Sequence, residues 1–75
     1  MSNGEVLIKL SRAQALVLFE WLATLESQPP PFKHPAEEHV LWKIAGQLES
    51  ILVEPFERNY DELLSQAREA VESGQ

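Results

Sequence analysis

The sequence predicts a mostly α-helical protein with a single domain over residues 1–75, in which one short N-terminal β-strand precedes a three-helix bundle. Three long stretches carry apolar residues at helical spacing, which predicts the helices. One short run of alternating aliphatic and β-branched residues predicts the strand. Because a chain of this size buries only a small core and has no cysteine for disulfides, we expect packing or association with another chain to stabilise it.

The predicted strand covers residues 5–10, with Ile8 and Leu10 on one face and Leu7 on the other. The backbone of a strand needs the hydrogen-bonding groups of a neighbouring strand, and no second strand pattern follows in the sequence. We therefore expect this strand to pair with the same strand of a second copy, in a homodimer.

The first helix is predicted over residues 12–27, because Ser11 and Gln14 have the spacing of a capping box and no helix breaker follows. Its apolar residues form two separate stripes. The broader stripe contains Val17, Leu18, Trp21, Leu22 and Leu25, and the second contains Leu16, Phe19 and Ala23. A helix that is apolar on two faces is buried on two sides. We expect the second stripe to contact a second copy.

A proline-rich connector over residues 28–34 is too restricted to be helical. The second helix is predicted over residues 35–53, and Trp42 lies off its apolar stripe. Asn59 and the glutamate three residues later resemble a second capping box, which predicts the third helix over residues 59–73. The predicted core consists of Val17, Leu18, Leu22, Ile44, Leu48, Leu52, Leu63 and Leu64.

The charge of the chain disfavours two classes of partner. Twelve acidic and six basic side chains give a formal net charge of −6. This charge repels nucleic-acid phosphates and anionic lipids, so nucleic acid and membranes are not expected partners. The sequence also has no basic stretch followed by a long apolar run. We expect a cytoplasmic protein.

No pattern predicts catalysis, a cofactor or a metal site. The two histidines, His34 and His39, do not have the i and i+4 spacing of a helical zinc site. His34 is expected near the start of the second helix. The carboxylate pairs at 37–38 and 61–62 lie where the first turn of a helix favours negative charge, so they need no catalytic explanation. We expect no enzymatic activity.

The candidate contact residues are apolar side chains that a single small chain is not expected to cover. They are Leu7, Ile8, Leu10, Leu16, Phe19 and Trp42. Trp42 is included because tryptophan is enriched at binding hot spots. The alternative for Trp42 is that the connector or a loop folds over it.

The order of strand and helices resembles the ribbon-helix-helix repressors, whose dimers pair N-terminal strands into a ribbon that reads DNA. Residues 6–11, followed by an apolar helix, carry this resemblance. It implies a dimeric transcriptional regulator. However, the outward face of the ribbon would present Glu5, Leu7 and Lys9, which lack most of the amide and basic groups that read bases.

A closer resemblance is to a group of short, uncharacterised bacterial proteins, and it covers most of residues 6–71. The stretches that carry it are 10–12 with 15–19, then 36–38 with 40–42, and finally 52–56 with Tyr60 and 63–64. Residues 28–34 depart from the pattern of the group. The resemblance implies a free-standing bacterial protein and no known activity.

Three functional hypotheses follow from the sequence. The first is a small acidic protein-interaction protein that acts as a homodimer. The second is an antitoxin or immunity-type protein that neutralises a basic partner through Glu37, Glu38 and Glu49 around Trp42. The third is a ribbon-helix-helix-like transcriptional regulator.

Overall fold

The computed structural model describes residues 4–74, which form three α-helices. These are α1 (Arg12–Ser27), α2 (Pro35–Ile51) and α3 (Tyr60–Glu72). A short 3-10 helix, Glu54–Phe56, joins α2 to α3. The prediction of a mostly α-helical chain with three helices is confirmed.

The starts of α1 and α2 follow directly from their capping residues. Ser11 Oγ accepts a hydrogen bond from the backbone N–H of Gln14 at 3.0 Å, and Gln14 Oε1 accepts one from the N–H of Ser11 at 2.8 Å. This is the predicted capping box, and α1 has the predicted bounds. At α2, His34 Nδ1 accepts from the N–H of Ala36 at 3.0 Å, and Pro35 occupies the first turn.

The later helix boundaries differ from the predictions. Helix α2 ends at Ile51 rather than at residue 53, because Leu52 adopts an extended conformation with ψ of 136°. Helix α3 runs over Tyr60–Glu72 rather than 59–73. The side chain of Asn59 makes no capping hydrogen bond, so the second capping box is wrong; this residue has φ of −99° and ψ of 34°, outside the extended region typical of such caps.

The predicted strand over residues 5–10 is not formed within the chain. Residues 4–74 contain no β-strand, and residues 5–10 form no hydrogen bond with another part of this range. The physical reason is that a strand requires a neighbouring strand, and every other long apolar stretch of the described chain is helical. Pairing with a second copy stays a prediction.

Helix α1 is the central element of the fold, since both α2 and α3 pack against it. Its N-terminus lies beside the segment after α2: the guanidinium of Arg12 donates two hydrogen bonds to the carboxylate of Glu54, at 2.7 and 2.9 Å. This ion pair, chiefly through its hydrogen bonds, holds the pKa of Glu54 below its ordinary value. It therefore fixes the 3-10 helix against the start of α1.

The core lies mainly between α1 and α3. Its buried cluster contains Leu16, Leu52, Leu64 and Ala67. Leu22 is also buried, at 1% exposure. The sequence correctly placed Leu22, Leu52 and Leu64 in the core, whereas the other predicted core residues are only partly buried: Val17, Leu18, Ile44, Leu48 and Leu63.

Candidate interaction surfaces

The N-terminal segment exposes a continuous run of aliphatic side chains. Val6, Leu7 and Ile8 are each at least 80% exposed, and Leu10 is exposed as well. Residues 4–74 cover little of Val6, Leu7 and Ile8 and about half of Leu10. Three of the predicted contact residues, Leu7, Ile8 and Leu10, are therefore accessible to another molecule.

A second exposed apolar surface lies on α1, on the side of the helix that carries Trp21. Leu18, Trp21 and Leu25 share this side at helical spacing. Trp21 is 54% exposed, and the two leucines are only partly buried. The charged residues of α1 point elsewhere around the helix. We call Leu18, Trp21 and Leu25 the uncharged face of α1.

Helix α2 also exposes aliphatic residues away from its contact with α1. Val40 and Ile51 are more than half exposed, and Ile44, on the same side at helical spacing, is partly buried. These three residues belong to the apolar stripe of α2, from which Trp42 is absent. The structure covers only part of that stripe, because α2 has α1 as its main packing neighbour.

A fourth feature is a groove of about 190 Å³ between α1 and α2, which we call the α1–α2 groove. Phe19 and Trp42 contribute aromatic surface, and Glu26 and Glu49 contribute one carboxylate from each helix. The groove exists because the remaining residues that line it from α2 are small. They are Ala45 and Gly46.

Gly46 lies in the interior of α2, where glycine costs about 0.5–1 kcal/mol relative to alanine. Packing within the chain does not require it, since a Cβ atom at this position would meet no other atom within 4 Å. The residue is exposed and lines the α1–α2 groove. Gly46 therefore adds no side chain to the groove wall.

The other predicted contact residues are covered to different degrees by the chain itself. Leu16 is buried in the core, which leaves it no surface for a partner. Phe19 and Trp42 are partly buried and line the α1–α2 groove. Sequence reasoning placed Trp21 on an apolar face but did not identify it as exposed.

A hydrogen bond between Tyr60 and Glu20 fixes α3 against α1. The hydroxyl of Tyr60 donates to Glu20 Oε1 at 2.7 Å. Partial burial raises the pKa of Tyr60 well above its ordinary value of about 10, and the bond to the Glu20 carboxylate raises it further. The neutral phenol is therefore more strongly favoured in the folded chain than in the unfolded one.

We expect this tyrosine to make the protein lose stability at alkaline pH. Above about pH 10 the unfolded chain loses the Tyr60 proton while the folded chain retains it, so the free energy of unfolding falls as the pH rises. A Tyr60→Phe variant lacks the hydrogen bond and the titrating hydroxyl. Its free energy of unfolding is expected to be about 1 kcal/mol lower than that of the wild type at neutral pH. Urea denaturation between pH 7 and 11 measures both effects. If the difference in free energy of unfolding between the wild type and the variant does not shrink above about pH 10, Tyr60 is not the group responsible.

Residues 4–74 contain neither a cluster of metal-ligating side chains nor a membrane-spanning helix. No group of three or more histidine, aspartate or glutamate side chains in residues 4–74 could hold a metal ion. No helix in this range is long and apolar enough to cross a bilayer.

Comparison with known proteins identifies no relative. No protein-family model, no curated protein and no solved structure matches the chain.

Proposed function

We propose that this chain is a small acidic protein-interaction protein that binds a second copy of itself and acts as a homodimer. Its role is binding rather than catalysis. The observation that carries the proposal is the uncharged face of α1. A tryptophan more than half exposed on the central helix, between two leucines that are only partly buried, is costly to leave in water.

The accessible surface of the chain supports the same proposal. The chain exposes 6029 Å². A compact folded chain of 8.5 kDa exposes about 4,650 Å². The excess, about 1,400 Å², is surface that a compact chain of this size covers within itself. The radius of gyration, 13.8 Å, also exceeds the value of about 11 Å expected for a compact chain of this length.

The N-terminal segment contributes to this excess and supplies the second part of the proposed interface. Its alternating aliphatic residues favour an extended strand, and residues 5–10 keep their backbone groups unpaired within the described chain. Pairing with residues 5–10 of a second copy satisfies those groups and buries Leu7 or Ile8.

Sedimentation of the wild-type chain tests this proposal, with a dimer expected at micromolar concentration. Proline lacks the N–H that a strand donates, and adjacent N–H groups point to opposite sides of a strand. We therefore expect either Leu7→Pro or Ile8→Pro to weaken the dimer, while Leu7→Thr and Ile8→Thr keep the donor and weaken it less. A wild-type monomer would overturn the homodimer, and a dimer that tolerates both prolines would overturn strand pairing.

A second candidate function is neutralisation of a basic partner by an antitoxin or immunity-type protein. The carboxylates of the α1–α2 groove and the net charge of −6 favour it. Glu49 and Trp42 of the predicted contact surface do line one groove. The genes beside this one test the candidate, because a neighbouring gene for a basic toxin supports it and the absence of one removes that support.

A further inference from the structure

We propose that the α1–α2 groove binds an arginine side chain of a basic protein partner. The proposal rests on the second candidate function and is independent of the homodimer. Three of the four α1 residues that line the groove lie on a different side of the helix from Trp21 and Leu25; they are Phe19, Ala23 and Glu26. A dimer formed through the uncharged face of α1 therefore leaves the groove open.

The chemistry of the groove is complementary to a guanidinium group. Trp42 and Phe19 provide aromatic surfaces, on which a planar guanidinium stacks. Glu26 and Glu49 provide carboxylates, which accept the hydrogen bonds that the rest of the guanidinium donates. No lysine or arginine lines the groove.

The two groove carboxylates, like most exposed glutamates of residues 4–74, have no hydrogen-bond or ion-pair partner in this range. Glu20, Glu37 and Glu54 accept hydrogen bonds from Tyr60, from the backbone of residue 33 and from Arg12, respectively. Glu26 and Glu49 accept none and form no ion pair among residues 4–74. Their charges are therefore accessible to a cation from outside.

The size of the groove favours one side chain over a free small molecule. Pockets for small molecules usually occupy about 300–1,000 Å³ and enclose most of the ligand. The α1–α2 groove holds about 190 Å³ and is open on one side. An arginine that projects from the surface of another protein fits such a site, since only its outer part needs to enter.

The test is an NMR titration of the protein with a blocked Gly-Gly-Arg-Gly-Gly peptide. The control is the same peptide with the arginine replaced by citrulline, which is neutral. The indole N–H signal of Trp42, assigned with a Trp42→Phe variant, reports on the groove. The arginine peptide is expected to shift this signal with a Kd in the millimolar range, and the citrulline peptide to bind at least about fivefold more weakly. Equal shifts from both peptides would overturn the proposal.

Two variants test the residues of the groove. The double variant Glu26→Gln and Glu49→Gln is expected to weaken binding of the arginine peptide about tenfold. The control variant, Glu69→Gln with Glu72→Gln, removes the same charge from exposed positions of α3 and is expected to change binding less than about twofold. If both double variants lose the same binding affinity for the arginine peptide, the net charge of the protein explains the loss. That result would overturn the groove as the site.

A third variant, Gly46→Leu, fills the groove without removing a charge. It is expected to fold, because leucine favours helix more than glycine and the Cβ position is open. Binding that survives this change in a folded variant would contradict the groove as the site. A Trp42 signal that moves with protein concentration and without peptide would identify a second copy as the occupant, and would also overturn the proposal.

The outcomes separate this inference from the proposed functions. If the groove variants lose binding of the arginine peptide but still dimerise, the result supports the arginine site. The proposed homodimer is then unaffected. A dimer that forms while no variant affects the arginine peptide overturns only the arginine site.

Discussion

Replacing Leu22 by alanine is expected to lower the free energy of unfolding by about 2–5 kcal/mol. Leu22 is the largest fully buried side chain among residues 4–74, at 1% exposure, and it lines the contact between α1 and α2. Its removal leaves a cavity in a chain that has few other buried side chains to collapse into it. Since small domains have total stabilities near the lower end of about 5–15 kcal/mol, the variant is expected to be partly unfolded at room temperature.

Urea denaturation followed by circular dichroism measures this loss, and Phe56→Ala provides the control. Phe56 is larger than leucine but 73% exposed, so its truncation is expected to cost less than about 1 kcal/mol. Comparable losses in the two variants would contradict the burial of Leu22.

Replacing Trp21 by glutamate is expected to raise the Kd of the proposed homodimer at least about 30-fold. A tryptophan at the centre of an interface commonly contributes 2 kcal/mol or more, and every 1.4 kcal/mol changes Kd about tenfold. Glutamate also places a charge on the uncharged face of α1 in both copies. Because Trp21 is 54% exposed in the single chain, we expect the helical content of the monomer to change little.

Analytical ultracentrifugation over a range of concentrations measures this Kd. The control is Gln66→Glu, which adds the same charge to an exposed position of α3. If Trp21→Glu and Gln66→Glu shift the dimer equally, charge repulsion explains the result and Trp21 is not in the interface. A dimer unchanged by Trp21→Glu would place the interface elsewhere on the chain.

The sequence predicted the helices best where local chemistry determines the boundary. Ser11 and Gln14 form their capping box through neighbouring atoms alone, so the start of α1 follows from the residues themselves. Asn59 shows the opposite case. It has the residue type and spacing of a cap, but its backbone follows a 3-10 helix and a turn, and the conformation that the connection imposes keeps its side chain from capping α3.

The sequence could not determine which apolar stripe of α1 the chain covers. Spacing identified both stripes, but it does not show on which side a neighbouring helix lies. The second stripe, through Leu16, packs into the core, while the broader stripe leaves Trp21 exposed. The sequence could not predict the α1–α2 groove either, since Glu26, Trp42 and Gly46 come together only when the two helices pack against each other. The small residues at the groove, Ala45 and Gly46, were the available sequence signal.

A single chain that exposes its N-terminal segment is expected to be prone to aggregation. Residues 6–10 combine strong β-propensity with high hydrophobicity, and their one charged residue is Lys9. Lys9 acts as a gatekeeper, because stacking many copies in register brings its charges together. The net charge of −6 keeps whole molecules apart in the same way. If the proposed homodimer forms, a variant that releases single chains at an unchanged protein concentration, or a loss of Lys9, is therefore expected to favour fibrillar assembly.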